Sequence, residues 1–205
     1  MTTYQLSIDF DSDGLTTLQA ADQFVTIVKT IPRSKSLSWI TFSPMRSNTI
    51  TWTESYSVYA STTQIQEGAL IETMSTQAAA AGSTYELFGG QFGLAAASAD
   101  PNTYSVINGD INCKVNGVRM VTSGLYQSAT VNGTPHQGAI NAVAVPYLDT
   151  ATFIPKEVVQ VFASSYHDNG LVISKVQSSA LEVDLTTKTA QSLHYNAAIN
   201  QFALV

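Results

Sequence analysis

Residues that could do chemistry occur first in an acidic segment near the amino terminus. Asp9, Asp11 and Asp13 alternate and are followed by Gly14, which matches the start of a calcium loop, where alternate carboxylates converge on a hard cation. The twelfth position of such a loop is Ala20 instead of the bidentate glutamate that completes it. The same acids also suit a turn and a helix cap. The segment therefore predicts either a calcium site or a strand-to-helix junction, and calcium is the only cofactor indicated.

A second candidate site lies on a predicted strand with alternating side chains. From Ile50 to Tyr59, apolar residues fall on one face, and serines and threonines on the other. Aromatic rings beside hydroxyl groups suit sugar rings or lipid headgroups, which combine apolar faces with hydroxyl edges. A carboxylate that interrupts the apolar face must be paired, peripheral or functional. The candidate ligand-binding residues are Trp52, Glu54, Tyr56 and Tyr59; the alternative is that the aromatic ones belong to the core.

No residue is assigned a catalytic role from the sequence. The chain contains no nucleophile elbow, dinucleotide fingerprint or phosphate-binding loop. The single cysteine, Cys113, predicts a buried, unreactive thiol, and the three histidines lack metal-ligand spacing. An acid–base enzyme for a small apolar molecule would have to use Glu54, Asp149 or a histidine in a cavity between layers. A protein that is not an enzyme is favoured.

Composition limits the classes of partner. The net charge is −6, with only nine basic residues among 205, which argues against nucleic-acid binding. Arg33, Lys35 and Arg46, with Lys29 upstream, form the nearest basic cluster and are interpreted as solvated loop charges. Neither a classical signal peptide nor a stretch of membrane-spanning length is visible. We expect a cytoplasmic protein, or one released without a classical signal peptide.

The elements that must position these residues are mainly strands. Asn-Gly pairs at Asn108, Asn116 and Asn132 predict hairpin turns between β-branched or aromatic runs. Helical spacing from Leu15, capped by Asp13, predicts a short helix that hands over to a strand near Gln23. The alanine-rich segment at 76–82 is interpreted as a second short helix or a loop.

Internal similarity indicates a duplicated unit. Four landmarks recur in the same order, and the spacing from tyrosine to glutamine in the last one is identical. We therefore expect one domain, 1–205, with pseudo-repeats at about 37–96 and 147–205, forming an all-β antiparallel sandwich or, alternatively, a barrel. The matched pairs are Thr41–Pro44 with Thr152–Pro155, Val58–Ser61 with Val161–Ser164, Gly68–Ile71 with Gly170–Ile173, and Tyr85 plus Gln91–Leu94 with Tyr195 plus Gln201–Leu204.

One segment carries a family resemblance. The run Ala142–Tyr147, followed by Val159–Phe162, resembles the strand, Pro-Tyr, strand region of actinoporin-like cytolysins and related fungal lectins. The resemblance covers about a tenth of the chain and lacks the aromatic cluster that follows Pro-Tyr in those cytolysins. It implies a β-sandwich that binds sphingolipid headgroups or sugars.

Three functions follow from these patterns. The first is a non-enzymatic, lectin-like or cytolysin-like recognition protein for glycans or lipid headgroups. The second is the acid–base enzyme for a small apolar molecule. The third is a self-assembling structural or storage protein, since strand-rich, low-charge surfaces favour association through sheet edges, and a homo-oligomer is expected in that case.

Overall fold

Strands dominate the fold. The computed structural model describes residues 2–93, 96–98, 100–173 and 179–205. Within these ranges the chain forms twenty strands and one helix, α1 (Ser12–Ala20). No helix in the described ranges is both long enough and apolar enough to cross a membrane.

The strands form three sheets. The eleven-stranded sheet contains β1 (Thr3–Phe10), β3 (Lys35–Leu37), β5 (Ser47–Thr53), β6 (Tyr56–Ser61), β7 (Ser75–Ala79), β12 (Met120–Val131), β13 (Thr134–Ala139), β14 (Asn141–Pro146), β17 (Val172–Ile173), β19 (Ala190–Asn196) and β20 (Gln201–Leu204). The five-stranded sheet contains β8 (Ser83–Phe88), β9 (Gln91–Phe92), β10 (Ala96–Ala97), β11 (Tyr104–Asn108) and β15 (Thr150–Phe153). The four-stranded sheet contains β2 (Phe24–Lys29), β4 (Ile40–Phe42), β16 (Val158–Ser164) and β18 (Leu181–Asp184).

A common core joins the three sheets. Fully buried residues from each sheet, such as Ile8, Ile27 and Val106, belong to one apolar cluster. Burial of apolar surface between packed sheets is the main stabilising contribution in such an architecture. None of the sheets closes on itself within the described ranges, so the predicted all-β sandwich is confirmed over its barrel alternative.

The longest strand, β12, organises the largest sheet. On one edge it pairs with β6 over Thr122–Tyr126 and then with β5 over Ala129–Val131. On the other edge it pairs with β14 and then with β13. The partner on the first edge thus changes at Gln127 and Ser128, which leaves a notch in the sheet between β5 and β6. The chain around this notch forms the candidate site described below.

The turn signals have mixed outcomes. Asn116-Gly117 and Asn132-Gly133 adopt positive φ values at both residues, as a type I′ turn requires, and the second pair connects β12 to β13. The prediction at Asn108 was wrong, because β11 contains this residue and its amide is buried, donating to the Val145 carbonyl at 2.9 Å. The alanine-rich segment is the strand β7 followed by a turn, since it pairs with β6.

The amino-terminal helix has a different cap from the predicted one. Asp11, not Asp13, is the N-cap, and its carboxylate accepts the Gly14 backbone N–H at 2.6 Å. The helix ends at Ala20, and β2 begins at Phe24, which confirms the expected handover near Gln23. The β-branched residues of β2 favour the extended conformation there.

The matched segments of the pseudo-repeat lie in different surroundings. Those at Gly68 and Gly170 contact each other through an antiparallel bridge between Leu70 and Leu171. The Val58–Ser61 segment lies in the largest sheet, whereas its counterpart lies in the four-stranded sheet. Leu94, the last landmark of the first copy, lies outside the described residues. The duplication stays a prediction.

Candidate functional site

The corner from β5 to β6 has two chemically distinct faces. Trp52 and Tyr56 are each 3% exposed and point into the core, as the alternating pattern predicted for one face. The serines and threonines between them are exposed or half-buried and form the other face. Glu54 is exposed in the turn that separates the two strands, which explains how a carboxylate can interrupt the apolar pattern. The candidate site is therefore a groove on the outer face and a charged cluster beneath it.

The charged cluster is built around Glu157. Its carboxylate accepts the Lys29 ammonium and the Trp52 indole N–H at one oxygen, both at 2.8 Å, and the Tyr56 hydroxyl at the other at 2.5 Å. Lys29, at the end of β2, is fully buried, and Glu157 is 7% exposed. Charge-assisted bonds of this kind are among the strong hydrogen bonds of a protein interior. The cluster ties the β5–β6 corner to the four-stranded sheet.

Aromatic rings enclose the buried ammonium. The Lys29 Nζ atom lies 4.9 Å from the Trp39 ring centroid and 5.4 Å from those of Trp52 and Tyr56, within cation–π range. Burial lowers the pKa of Lys29 to about 8, although Glu157 opposes the shift. Burial first, and then the charge of Glu157, raise the pKa of the Tyr56 hydroxyl. Tyr56 therefore stays protonated and donates its hydrogen bond.

The groove follows the outer face above this cluster. Two adjoining hollows, with cavity volumes of about 270 and 130 Å³, share Thr53 and Ser128 in their walls. No charged residue lines either hollow among the described residues. Pro135 borders the larger hollow, and the half-buried Tyr126 borders the smaller one. The hydroxyl-bearing residues of the walls include Thr51, Thr53, Ser55, Ser57, Ser128 and Thr130.

A buried amide lies at the notch. Gln127 is 2% exposed and borders the smaller hollow; its side-chain N–H donates to the Thr53 carbonyl at 2.7 Å. Its Oε1 atom is buried and has no hydrogen-bond partner among the described residues. An unsatisfied buried acceptor costs about 1–3 kcal/mol, so a hydroxyl donor that reached this atom would recover that free energy.

A separate cleft opens on the far side of the corner. Its cavity volume is about 440 Å³, and its walls include Glu54, Glu157, Tyr4 and Asp184. The Tyr4 ring stacks on Trp52 at a centroid distance of 5.8 Å. The cleft contains the carboxylates that acid–base chemistry needs, but the oxygens of Glu157 already accept three internal hydrogen bonds. The enzyme alternative stays a prediction.

The structure separates Tyr59 from the other candidate ligand-binding residues. Tyr59 is fully buried in a second apolar cluster, and its hydroxyl donates to the Asn141 carbonyl at 2.7 Å. Trp52 and Tyr56 contribute to the charged cluster instead of an exposed platform, and Glu54 lines the cleft. The role of Trp52, Glu54 and Tyr56 in binding a ligand stays a prediction. The rings of Trp52 and Tyr56 belong to the core.

The three acids of the calcium hypothesis have separate positions. Asp9 lies on β1, Asp11 caps α1, and Asp13 is in the first helical turn. His194 lies 4.0 Å from the Asp11 carboxylate, measured between Nε2 and Oδ2. The described part of the chain contains no group of three or more His, Cys, Asp or Glu residues placed to hold a metal ion. Calcium binding at these residues stays a prediction.

Lys29, Glu157 and Gln127 were not selected as site residues from the sequence. The interpretation of Lys29 as a solvated loop charge was wrong, because this residue ends strand β2 and is fully buried. Lys29 and Glu157 are 128 positions apart, and each adjoins residues typical of a strand end or a turn. The available signal was the lysine itself, which directly follows the apolar run of β2. A cation there, far from any local acid, could have indicated a distant buried partner.

Comparisons with known proteins add no relative. No protein-family model matches the chain, and neither a curated protein nor a solved structure matches it.

Proposed function

We propose that the protein is a non-enzymatic recognition protein that binds a neutral glycan in the groove over the β5–β6 corner. The observation that carries this proposal is the lining of the groove, in which hydroxyl groups surround the notch and charged side chains are absent among the described residues. A neutral sugar offers hydroxyl groups to such walls, and its apolar ring face suits the Tyr126 ring and Pro135.

The buried cluster supports the proposal by stiffening the groove from below. Because Trp52 and Tyr56 are both hydrogen-bonded to Glu157, the backbone segments that carry Thr51, Thr53 and Ser57 have little freedom. A preorganised site loses less conformational entropy when it binds, so more of the interaction free energy contributes to affinity. Shallow polar sites depend on this effect because they bury little apolar area.

The unpaired Gln127 oxygen supports a ligand that donates hydrogen bonds. This oxygen is covered, so a sugar hydroxyl would reach it through a movement of the Gln127 side chain while the backbone of β5 and β6 stays in place. We therefore expect the ligands with the highest affinity to place a hydroxyl group in the smaller hollow, between β5 and β6.

The test is a glycan-array screen of the wild-type chain and two matched variants. Ser128→Lys places a long charged side chain at the position shared by both hollows, and it should abolish binding. Thr49→Lys makes the same charge change at another exposed strand position, outside both hollows, and should retain binding. A blank array for the wild type, or equal binding by Ser128→Lys, overturns the proposal.

A second candidate function is attachment to a lipid surface through one end of the molecule. The ends of β8 and β11 and the turn between β14 and β15 lie side by side there. The Gly109 N–H donates to the Leu87 carbonyl, and the Leu148 N–H donates to the Asn108 carbonyl. Large apolar side chains of these segments are exposed, with Phe88 at 71% and Leu148 at 69%. Leu148 also has a φ of 66°, a conformation that costs a leucine energy and is found at functional sites.

Sedimentation with phosphatidylcholine vesicles tests this second candidate. Phe88→Ser combined with Leu148→Asn should remove binding without unfolding the chain, because asparagine tolerates a positive φ better than leucine does. Ile199→Ser is the control, since Ile199 is 60% exposed and lies in the turn between β19 and β20. Failure of the wild type to sediment, or equal loss in the control, contradicts the lipid candidate.

A further inference from the structure

An open hollow lies away from the groove, where β3 separates from β14. These strands pair only at Asn141 with Ser36 and at Ala142 with Lys35. Continued pairing would bring Ser34 opposite Val143, but the chain turns away there. The Ser34 hydroxyl donates to the Ile31 carbonyl at 2.8 Å. The separation leaves a cavity of about 460 Å³ beside an open strand edge.

The walls of this cavity are divided between charge and apolar surface. Arg33, Ser34 and Lys35 form one side, whereas Ile65 and the β14 residues Ala142–Ala144 form the other. Neither the Arg33 nor the Lys35 side chain has a hydrogen bond or ion pair with another described residue, and both residues are exposed. Two of only nine basic residues in an acidic chain thus face one cavity without a carboxylate partner.

The backbone at Arg33 holds one of these cations in an unusual place. Its φ is 62°, in the left-handed region that favours glycine and asparagine. Arg33 also borders a second cavity, of about 340 Å³, together with Ile154. Arg33 therefore lies at the junction of two hollows, and its backbone conformation costs energy.

We infer that this cavity binds an anionic amphiphile, that is, a phosphate, sulfate or carboxylate group carrying an apolar chain. Arg33 and Lys35 would hold the oxyanion, because guanidinium and ammonium groups form strong charge-assisted bonds with it. The Ile65 and Ala142–Ala144 wall would take the apolar chain. Two cations are too few for a nucleic-acid backbone, and a small inorganic anion would leave the apolar wall uncovered.

Isothermal titration with octyl phosphate tests the inference. The wild type should bind octyl phosphate at least about tenfold more tightly than inorganic phosphate, and octyltrimethylammonium, with the same chain and opposite charge, should not bind. Arg33→Gly with Lys35→Gln should lose about tenfold or more in affinity. Glycine suits a φ of 62°, so this variant should remain folded, which far-UV circular dichroism checks. Lys188→Gln, an exposed cation elsewhere, is the control.

Sedimentation with phosphatidate-containing vesicles distinguishes a lipid headgroup from a free ligand. Vesicle binding that disappears in the Arg33→Gly, Lys35→Gln variant identifies a membrane lipid as the source, and octyl phosphate binding without vesicle binding identifies a free amphiphile. The inference is overturned if octyl phosphate does not bind the wild type or binds the double variant equally. It is also overturned if inorganic phosphate or octyltrimethylammonium binds as tightly.

Discussion

Replacement of Glu157 by glutamine tests how much the buried charged cluster contributes to the free energy of unfolding. Glu157 accepts hydrogen bonds from Lys29, Trp52 and Tyr56, whereas the amide keeps one acceptor oxygen and directs an NH₂ group at donors. The Lys29 ammonium, fully buried, would lose its counter-charge. Removal of one partner from a buried ion pair costs about 3–5 kcal/mol, and we expect Glu157→Gln to reduce the free energy of unfolding by that amount.

Adding Lys29→Met to Glu157→Gln should restore part of the loss. The methionine removes the unpaired charge but retains an apolar chain beneath the aromatic rings, so the double variant should be more stable than Glu157→Gln alone. We expect the two losses to be non-additive by about 2 kcal/mol, within the range for residues in direct contact. Glu182→Gln and Lys188→Met, at exposed positions, should each change stability by less than about 0.5 kcal/mol.

Urea unfolding is the assay, followed by tryptophan fluorescence and far-UV circular dichroism. The only two tryptophans in the chain, Trp39 and Trp52, both lie against Lys29, so their fluorescence reports directly on the cluster. This prediction is refuted if Glu157→Gln lowers the free energy of unfolding by less than about 1 kcal/mol. It is also refuted if the losses caused by Glu157→Gln and Lys29→Met simply add in the double variant.

The same cluster predicts a pH dependence of stability. The pKa of Lys29 falls from 10.5 to about 8 in the folded chain, so between these values the unfolded chain binds one more proton than the folded one. The free energy of unfolding contributed by Lys29 should therefore rise with pH across this window, by about 3 kcal/mol in total. Urea titrations of wild type and Lys29→Met isolate this contribution, because the other titrating groups are common to both. Parallel pH profiles would contradict the lowered pKa of Lys29 in the folded chain.

Three further predictions concern single positions. Cys113 is 8% exposed, and its thiol pKa is raised to about 11, mainly by burial and then by the charge of Asp110. Labelling by iodoacetamide at neutral pH should therefore be far slower in the native chain than in urea, and equal rates would contradict this. Gly124→Ala should destabilise the chain by more than about 3 kcal/mol in thermal unfolding, because a Cβ there would lie 2.1 Å from the Asn141 carbonyl oxygen; an unchanged melting temperature would show that β12 can shift. Asp11→Ala should cost about 1 kcal/mol through loss of the helix cap, measured by urea unfolding against Asp13→Ala, which should cost less.

Much of the fold could be predicted from local sequence patterns. The alternation along β5 and β6 correctly placed Trp52 and Tyr56 inward, because a strand has a side-chain period of two. The pattern failed at Asn108, because a buried asparagine that bonds to a distant carbonyl has the same local sequence as a turn asparagine. Asp11 and Asp13 lie only two positions apart at the start of α1, so the spacing alone could not distinguish which of them caps the helix.

The candidate site was predicted only in its outer half. The hydroxyl face of β5 and β6 follows from alternation, but the groove also needs Ser128 and Thr130 from β12, about seventy positions further on. The Lys29–Glu157 pair depends on how β2 and the start of β16 meet across the core, which no local pattern encodes. Arg33 and Lys35 could be recognised as a basic cluster, but the cavity beside them results from the divergence of β3 from β14.

The most direct test of the proposed glycan site is a two-dimensional NMR titration of the wild-type chain with neutral monosaccharides, namely glucose, galactose, mannose and N-acetylglucosamine. We predict that at least one sugar shifts backbone amide signals at Thr51–Ser57 and Ser128–Thr130, and that Ser128→Lys abolishes these shifts while Thr49→Lys retains them. If no sugar shifts any amide, or if the shifts cluster in the cleft around Glu157 and Asp184, the groove is not the recognition site.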